Sequence, residues 1–168
     1  MPLSEGLLPE FDHEMANTRK VLERVPEVHL TWKPHEKSMS LGDLATHVAS
    51  IPGWTTMTLN EEFLDMAAPG APGVPPPAAS RVALLALFDK GVSEARTALA
   101  GAGDACLLGQ WSLRKGAQTV FTMPRLAVLR SFILNHGIHH RGQLEVYLRL
   151  KDVPLPAIYG PSADEGQM

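Results

Sequence analysis

Apolar side chains at Leu8, Phe11, Met15, Leu22 and Val25, with Thr18 completing the series, alternate steps of three and four until Pro26. That is the spacing of a helix with one buried face, and it predicts a first helix from about Leu8. Residues 26–38 hold Trp32 and Pro34 among mixed charges without a sustained period, which predicts an extended connector. Ser40, followed by Asp43 three residues on and an apolar run, has the form of a capping box, so a second helix is expected to begin near Leu41. Its inward face reads Leu44, His47, Ile51, Trp54 and Met57, and Pro52 predicts a kink near Ile51, because proline removes one backbone donor.

The stretch AAPGAPGVPPPAA at 67–79 cannot continue a helix and is expected to be an extended or mobile loop within one domain. After Ser80 the series Val82, Leu85, Phe88, Val92, Ala95 and Leu99 predicts a third helix bounded by Gly101 and Gly103. Residues 107–121 place Trp, Thr, Val and Phe around Arg114-Lys115-Gly116, which suggests a short hairpin. Pro124 suits the first turn of a fourth helix, whose stripe runs through Leu126, Leu129, Ile133, Leu144 and Tyr147 and stops at Asp152-Val153-Pro154. The polar tail from Pro156 to Met168 is expected to pack loosely or to reach a neighbouring subunit.

With 168 residues and 45% hydrophobic side chains, the chain is long and apolar enough for one core, so a single domain spanning 1–168 is expected. Fifteen Lys and Arg against 18 Asp and Glu give a net charge of −3, which argues against nucleic acid as a partner. The single cysteine, Cys106, excludes an internal disulfide and a Cys-x-x-Cys centre. The amino end lacks a basic flank followed by a long apolar core, and no run approaches the ~18 apolar residues of a membrane span. A cytoplasmic protein with no membrane partner is therefore expected.

Candidate chemistry lies in the histidines. At about 100° per residue, His136 and His140 fall on or beside the apolar face of the fourth helix. His139 projects toward an edge or solvent, and Arg130, Arg141, Glu145 and Arg149 fall on the opposite face. Two imidazoles four residues apart can share one cation, although seven histidines in 168 positions give about 0.3 such pair by chance. His47, facing inward on the second helix, is a candidate third ligand. A shared cation would satisfy three buried imidazoles at once. Separate core histidines, each hydrogen-bonded to a carbonyl or water, fit the same spacing, and spacing alone leaves both readings open.

Gly137 stands where a zinc-protease helix would carry glutamate, and neither a phosphate loop nor a Gly-x-Ser-x-Gly elbow occurs. Trp54 and Trp111 are candidates for lining a pocket, with core packing as the alternative for each. Asn135, Gln143 and Tyr147 are candidates for supporting metal ligands from behind. By helical phase Arg141 is assigned ion pairing or an interface role.

The strings WKPHEKSMSLGDLATHVASIPGW around His47 and LRSFILNHGIHHRGQLEVYLRL around His136 and His140 closely resemble the DinB/YfiT-like family. HHRGQL is the most specific part, and TWKP at 31–34 and the VPLPAIYGPSADE tail extend the likeness over nearly the whole chain. The resemblance implies an all-α four-helix bundle with a long crossover between the second and third helices, and a homodimer. It also implies a divalent metal, nickel or zinc, held by His47, His136 and His140. Relatives of this kind look like transferases using mycothiol, bacillithiol or glutathione, or like metal-dependent hydrolases and isomerases. Three protein ligands leave a coordination position open, which fits a catalytic site. The expected function is thus activation of a low-molecular-weight thiol for transfer to an electrophile, with a small molecule as the partner. A metal-dependent hydrolase and a non-catalytic metal- or ligand-binding stress-response protein are the alternatives.

Overall fold

The structure, a computed structural model, describes residues 1–71 and 75–166. Its helices are α1 (Leu3–Leu22), α2 (Leu41–Ser50), α3 (Trp54–Asn60), α4 (Arg81–Gly101), α5 (Asp104–Leu108), α6 (Arg125–Val128) and α7 (His136–Arg149). A π-helical segment, Leu129–Asn135, joins α6 to α7 without a break. α1 and α2 each pack against both α4 and α7, and Leu22, Leu44, Phe88, Leu99, Leu144 and Leu148 meet in the core between them. Burying side chains of this size stabilises by roughly 1.5–3 kcal/mol each, so the four long helical segments are held mainly by their shared apolar stripes.

Local sequence explains where these segments begin and end. The Ser40 hydroxyl accepts from the Asp43 backbone N–H at 3.0 Å, while the Asp43 carboxylate accepts from the Ser40 N–H at 3.2 Å, completing the expected capping box. Two further N–H groups of the first turn donate into the preceding connector, Leu41 to Trp32 O and Gly42 to Leu30 O. A side chain at Gly42 would bring its Cβ to 3.0 Å from that Leu30 oxygen, so only glycine lets connector and helix approach this closely. At Pro52, where a kink in one continuous helix is expected, the helix instead breaks, with a 3-10 turn at Ile51–Gly53 separating α2 from α3.

Several expectations need correction. α1 starts at Leu3 rather than near Leu8 and contains Pro9, and its first N–H donates to Asp104 Oδ1 at 2.8 Å. On α4, Val82 is exposed and Leu84 takes its place in the core with Phe88, Ala95 and Leu99. The fold is mostly helical but not all-α. β1 (Phe63–Asp65), β2 (Gln110–Lys115) and β3 (Gln118–Pro124) form a sheet in the order β1-β2-β3.

β2 and β3 are the expected antiparallel hairpin, turning at Gly116 with φ +61°, whereas β1 pairs parallel with β2 and was not foreseen. Pro124 ends β3 rather than entering a helical turn. Of the proline-rich loop, residues 72–74 lie outside the described residues; the rest has no helix, and Ala78 N–H donates to Thr46 Oγ1 at 2.8 Å. No helix among the described residues is long and apolar enough to cross a membrane.

The tail does not pack loosely. Up to residue 166 it folds back on the chain: Asp164 accepts from Arg149 and from the Leu155 N–H, Glu165 pairs with Arg24, and Tyr159 reaches Glu14. Residues 167 and 168 are outside the described part.

Candidate metal centre

His47 sits in the last turn of α2, where its carbonyl accepts from the Ser50 hydroxyl and the Ile51 N–H, and its side chain is 8% exposed. His136 opens α7 directly after the π-helical segment, and His140 follows one turn later. The three rings converge. Ring centroids are 5.0 Å apart for His47 and His136, 4.6 Å for His47 and His140, and 4.6 Å for His136 and His140. One ligand-capable nitrogen from each ring lies within 4.8 Å of the other two, so the cluster can hold a metal ion.

Hydrogen bonding fixes which nitrogens face inward. His136 Nδ1 is 3.2 Å from the Phe132 carbonyl oxygen, and His140 Nδ1 is 2.7 Å from Gln143 Oε1. Both partners are acceptors, so both Nδ1 atoms carry the proton and both Nε2 atoms keep a lone pair. His47 Nε2 lies 3.2 Å from His136 Nε2, while His47 Nδ1 is buried and without a hydrogen-bond partner among the described residues. Two nitrogens bound tetrahedrally at about 2.0–2.1 Å would stand roughly 3.3–3.4 Å apart, close to the observed spacing. The donor set fits a divalent transition metal, since imidazole suits zinc, nickel, copper and iron.

The electrostatics favour neutral rings. Burial, reinforced by His140 and His136, lowers the His47 pKa to about 4. Burial also lowers His136 and His140, against the opposing hydrogen bonds to Phe132 and Gln143. Neutral imidazole is the form that binds metal.

Two spaces meet at the cluster. His47 forms part of the wall of an apolar cavity of about 240 Å³, shared with Trp54, Met57, Leu64, Trp111, Leu113, Phe121, Val128 and Phe132. His140 and Gln143 border a more open groove of about 460 Å³ with Ser38, Met39 and Tyr147. Trp54 stands between ring pairs, edge-on to His47 at 5.8 Å and tilted against His136 at 5.5 Å.

Of the predicted supporting residues, Gln143 holds His140. Tyr147 instead donates to Met39 O at 3.3 Å and packs edge-on with Trp32. Asn135 is exposed, and no hydrogen bond joins its side chain to the three rings among the described residues. His139 is exposed, as expected. Trp54 and Trp111 both line the cavity.

Arg141 is not on a solvated face: it is 2% exposed and forms the expected ion pair in the interior. Its guanidinium donates to Glu14 Oε2 at 2.8 Å, to Glu14 O and Thr18 Oγ1 at 3.2 Å, and to the Tyr159 hydroxyl at 2.6 Å; that hydroxyl donates to the Glu14 carboxylate. Within α7, Arg141 stands three residues before Leu144 and seven before Leu148, both buried, so it shares their inward face.

Sequence reasoning missed Leu64, Met66, Phe121 and Phe132 as cavity walls. Phe132 stacks on Phe121 with centroids 4.9 Å apart, and its carbonyl also holds His136. Its place four residues before a ligand candidate was the one available signal. Arg125 was also missed. It clamps the sheet to α3 by donating to the carbonyls of Thr58, Gln110 and Glu61.

The chain is similar to known proteins in sequence and in fold. The chain is 26% identical over 164 residues to the uncharacterized protein YrdA of Bacillus subtilis (strain 168), covering 96% of this chain and 90% of that one. Its fold is similar to the crystal structure of a DinB-like protein from Bacillus cereus ATCC 10987, with TM-score 0.71, 23% identity, and coverage of 94% of this chain and 98% of that one. A DinB-like protein of Bacillus subtilis, YjoA, has TM-score 0.69, 20% identity, and coverage of 90% and 96%. Residues 4–167 match the DinB family, and the chain belongs to it.

Proposed function

We propose that this protein is a metal-dependent enzyme in which His47, His136 and His140 hold a divalent transition metal, zinc or nickel, and in which a low-molecular-weight thiol is transferred to an electrophile. The observation that carries this reading is the meeting of two unlike spaces at one three-histidine cluster. His47, His136 and His140 would hold the cation, which would supply Lewis acidity enough to lower a thiol's pKa toward neutral pH.

The chain's own residues do the rest. Phe132 O and Gln143 Oε1 keep the protons of His136 and His140 on Nδ1, which leaves both Nε2 lone pairs free for a metal bond. The open groove beside His140 and Gln143 admits a hydrophilic thiol from solvent. The apolar walls on the His47 side exclude water, which protects a reactive electrophile from hydrolysis. A transfer between two substrates uses both spaces, whereas hydrolysis needs only one.

Anaerobic turnover of 1-chloro-2,4-dinitrobenzene with glutathione, bacillithiol and mycothiol tests this reading. Thiol-dependent turnover that is lost on chelation and restored by zinc or nickel is expected. Turnover insensitive to chelation, or ester hydrolysis that needs no thiol, would overturn it.

A further inference from the structure

His136 and His140 each have a hydrogen-bond partner that fixes the ring, the Phe132 carbonyl and Gln143 Oε1. His47 has none outside the cluster. Its Nε2 faces His136 Nε2 at 3.2 Å, and its Nδ1 is buried without a partner among the described residues. Metal-binding imidazoles almost always donate the remaining N–H to an acceptor, which holds the ring in one orientation. Packing has to do that work for His47, whose side chain also lines the 240 Å³ cavity and so has empty space beside it.

The aromatic ring that meets His47 from outside the cluster is Trp54, edge-on with centroids 5.8 Å apart and an interplanar angle of 64°. Trp54 lines the same cavity and leans on His136 as well, at 5.5 Å. Its mount is rigid. Trp54 opens α3 directly after the Ile51–Gly53 turn, and α4 packs so closely on that turn that a Cβ at Gly91 would stand 3.2 Å from Gly53 N.

We infer that Trp54 is the positioning residue for His47, holding the imidazole in its cluster-facing rotamer by edge-on packing in place of the missing hydrogen bond. The inference deepens the proposed function, resting on its three-histidine metal site but not on the thiol chemistry. Freed of this neighbour, an imidazole has three χ1 wells and two χ2 orientations, about six in all. Apparent metal affinity falls with the fraction of chains whose ring is in the binding-competent orientation. Trp54→Leu should therefore weaken zinc binding about three- to sixfold, since the helix already disfavours some rotamers. Trp54→Phe keeps an aromatic edge and should bind within about twofold of the wild type.

The test compares the full-length wild type, Trp54→Leu and Trp54→Phe. Zinc titration against a chromophoric chelator gives the affinities, and the visible spectrum of the cobalt-loaded chains should keep its shape because the ligand set is unchanged. NMR relaxation of isotope-labelled histidine Cε1 groups in the metal-free chains reads the rings directly. In the wild type the His47 ring should be as ordered as those of His136 and His140. In Trp54→Leu it should gain motion while His140 does not, and in Trp54→Phe it should stay ordered. A His47 ring that remains ordered in Trp54→Leu, that is already mobile in the wild type, or that phenylalanine fails to hold would overturn the inference, as would undiminished zinc affinity in Trp54→Leu. A wild type that binds no zinc defeats the metal reading instead, and the ring measurements, made without metal, still decide the role of Trp54.

Discussion

Replacing Glu14 by glutamine removes the negative partner of a cation that has no route to water. The two side chains are 8% and 2% exposed, and their closest contact is 2.8 Å. Breaking a buried pair from one side costs about 3–5 kcal/mol, because the remaining charge stays desolvated. The amide oxygen introduced by Glu14→Gln can still accept from Arg141, which places the expected loss near the lower end, about 3 kcal/mol. In a domain of this length, 1 kcal/mol corresponds to about 2–4 °C, so Tm should fall by roughly 6–12 °C.

The double variant Glu14→Leu/Arg141→Met removes both charges and should recover most of that loss, since apolar replacements of a buried pair are often neutral or stabilising. Tyr159, at 66% exposure, can turn its hydroxyl to water. Urea denaturation followed by circular dichroism measures both variants. A cost below about 1 kcal/mol for Glu14→Gln, or a double variant no more stable than the single one, would refute the reasoning. Arg141 directly follows His140, so this ion pair also anchors the turn that carries a candidate ligand to α1.

Three further outcomes follow from the geometry. Gln143→Leu removes the acceptor that orients His140 from an exposed position, so metal affinity should fall about 10- to 100-fold with little change in Tm; unchanged affinity by isothermal titration contradicts the assigned role. Arg125→Met frees the carbonyls of Thr58, Gln110 and Glu61 and should cost about 1–3 kcal/mol, with faster amide exchange in β2 and β3 as the specific signature. In the metal-free protein the unfolded chain protonates its histidines near 6.5, whereas folded His47 resists until about 4 and His136 and His140 are lowered too. Folding stability should therefore drop as pH falls from about 6.5 toward 4, and His47→Gln should flatten that slope in melts at several pH values.

The parts of the fold that were legible in the sequence are those governed by local chemistry. The Ser40–Asp43 box, the disturbance of the helix at Pro52 and the turn at Gly116 each depend on residues within a few positions of one another. For the candidate ligands, spacing offered His47, His136 and His140 either as a metal cluster or as separate core histidines, and only the resemblance of the strings around them favoured the cluster. What escaped depends on distant partners. β1 has only three residues and no alternation, and it exists because β2 offers it a parallel edge. Arg141 reads as a solvated side chain until Glu14, more than a hundred residues earlier, and Tyr159 from the tail close over it.

Metal titration of protein purified without an immobilised-nickel column tests the central claim most directly. Equilibrium dialysis against zinc, nickel and cobalt, quantified by elemental analysis, should give one equivalent per chain for the wild type. His47→Ala, His136→Ala and His140→Ala should each weaken binding at least about 100-fold while remaining folded. Equal binding by the wild type and a chain lacking all three imidazoles would contradict the account.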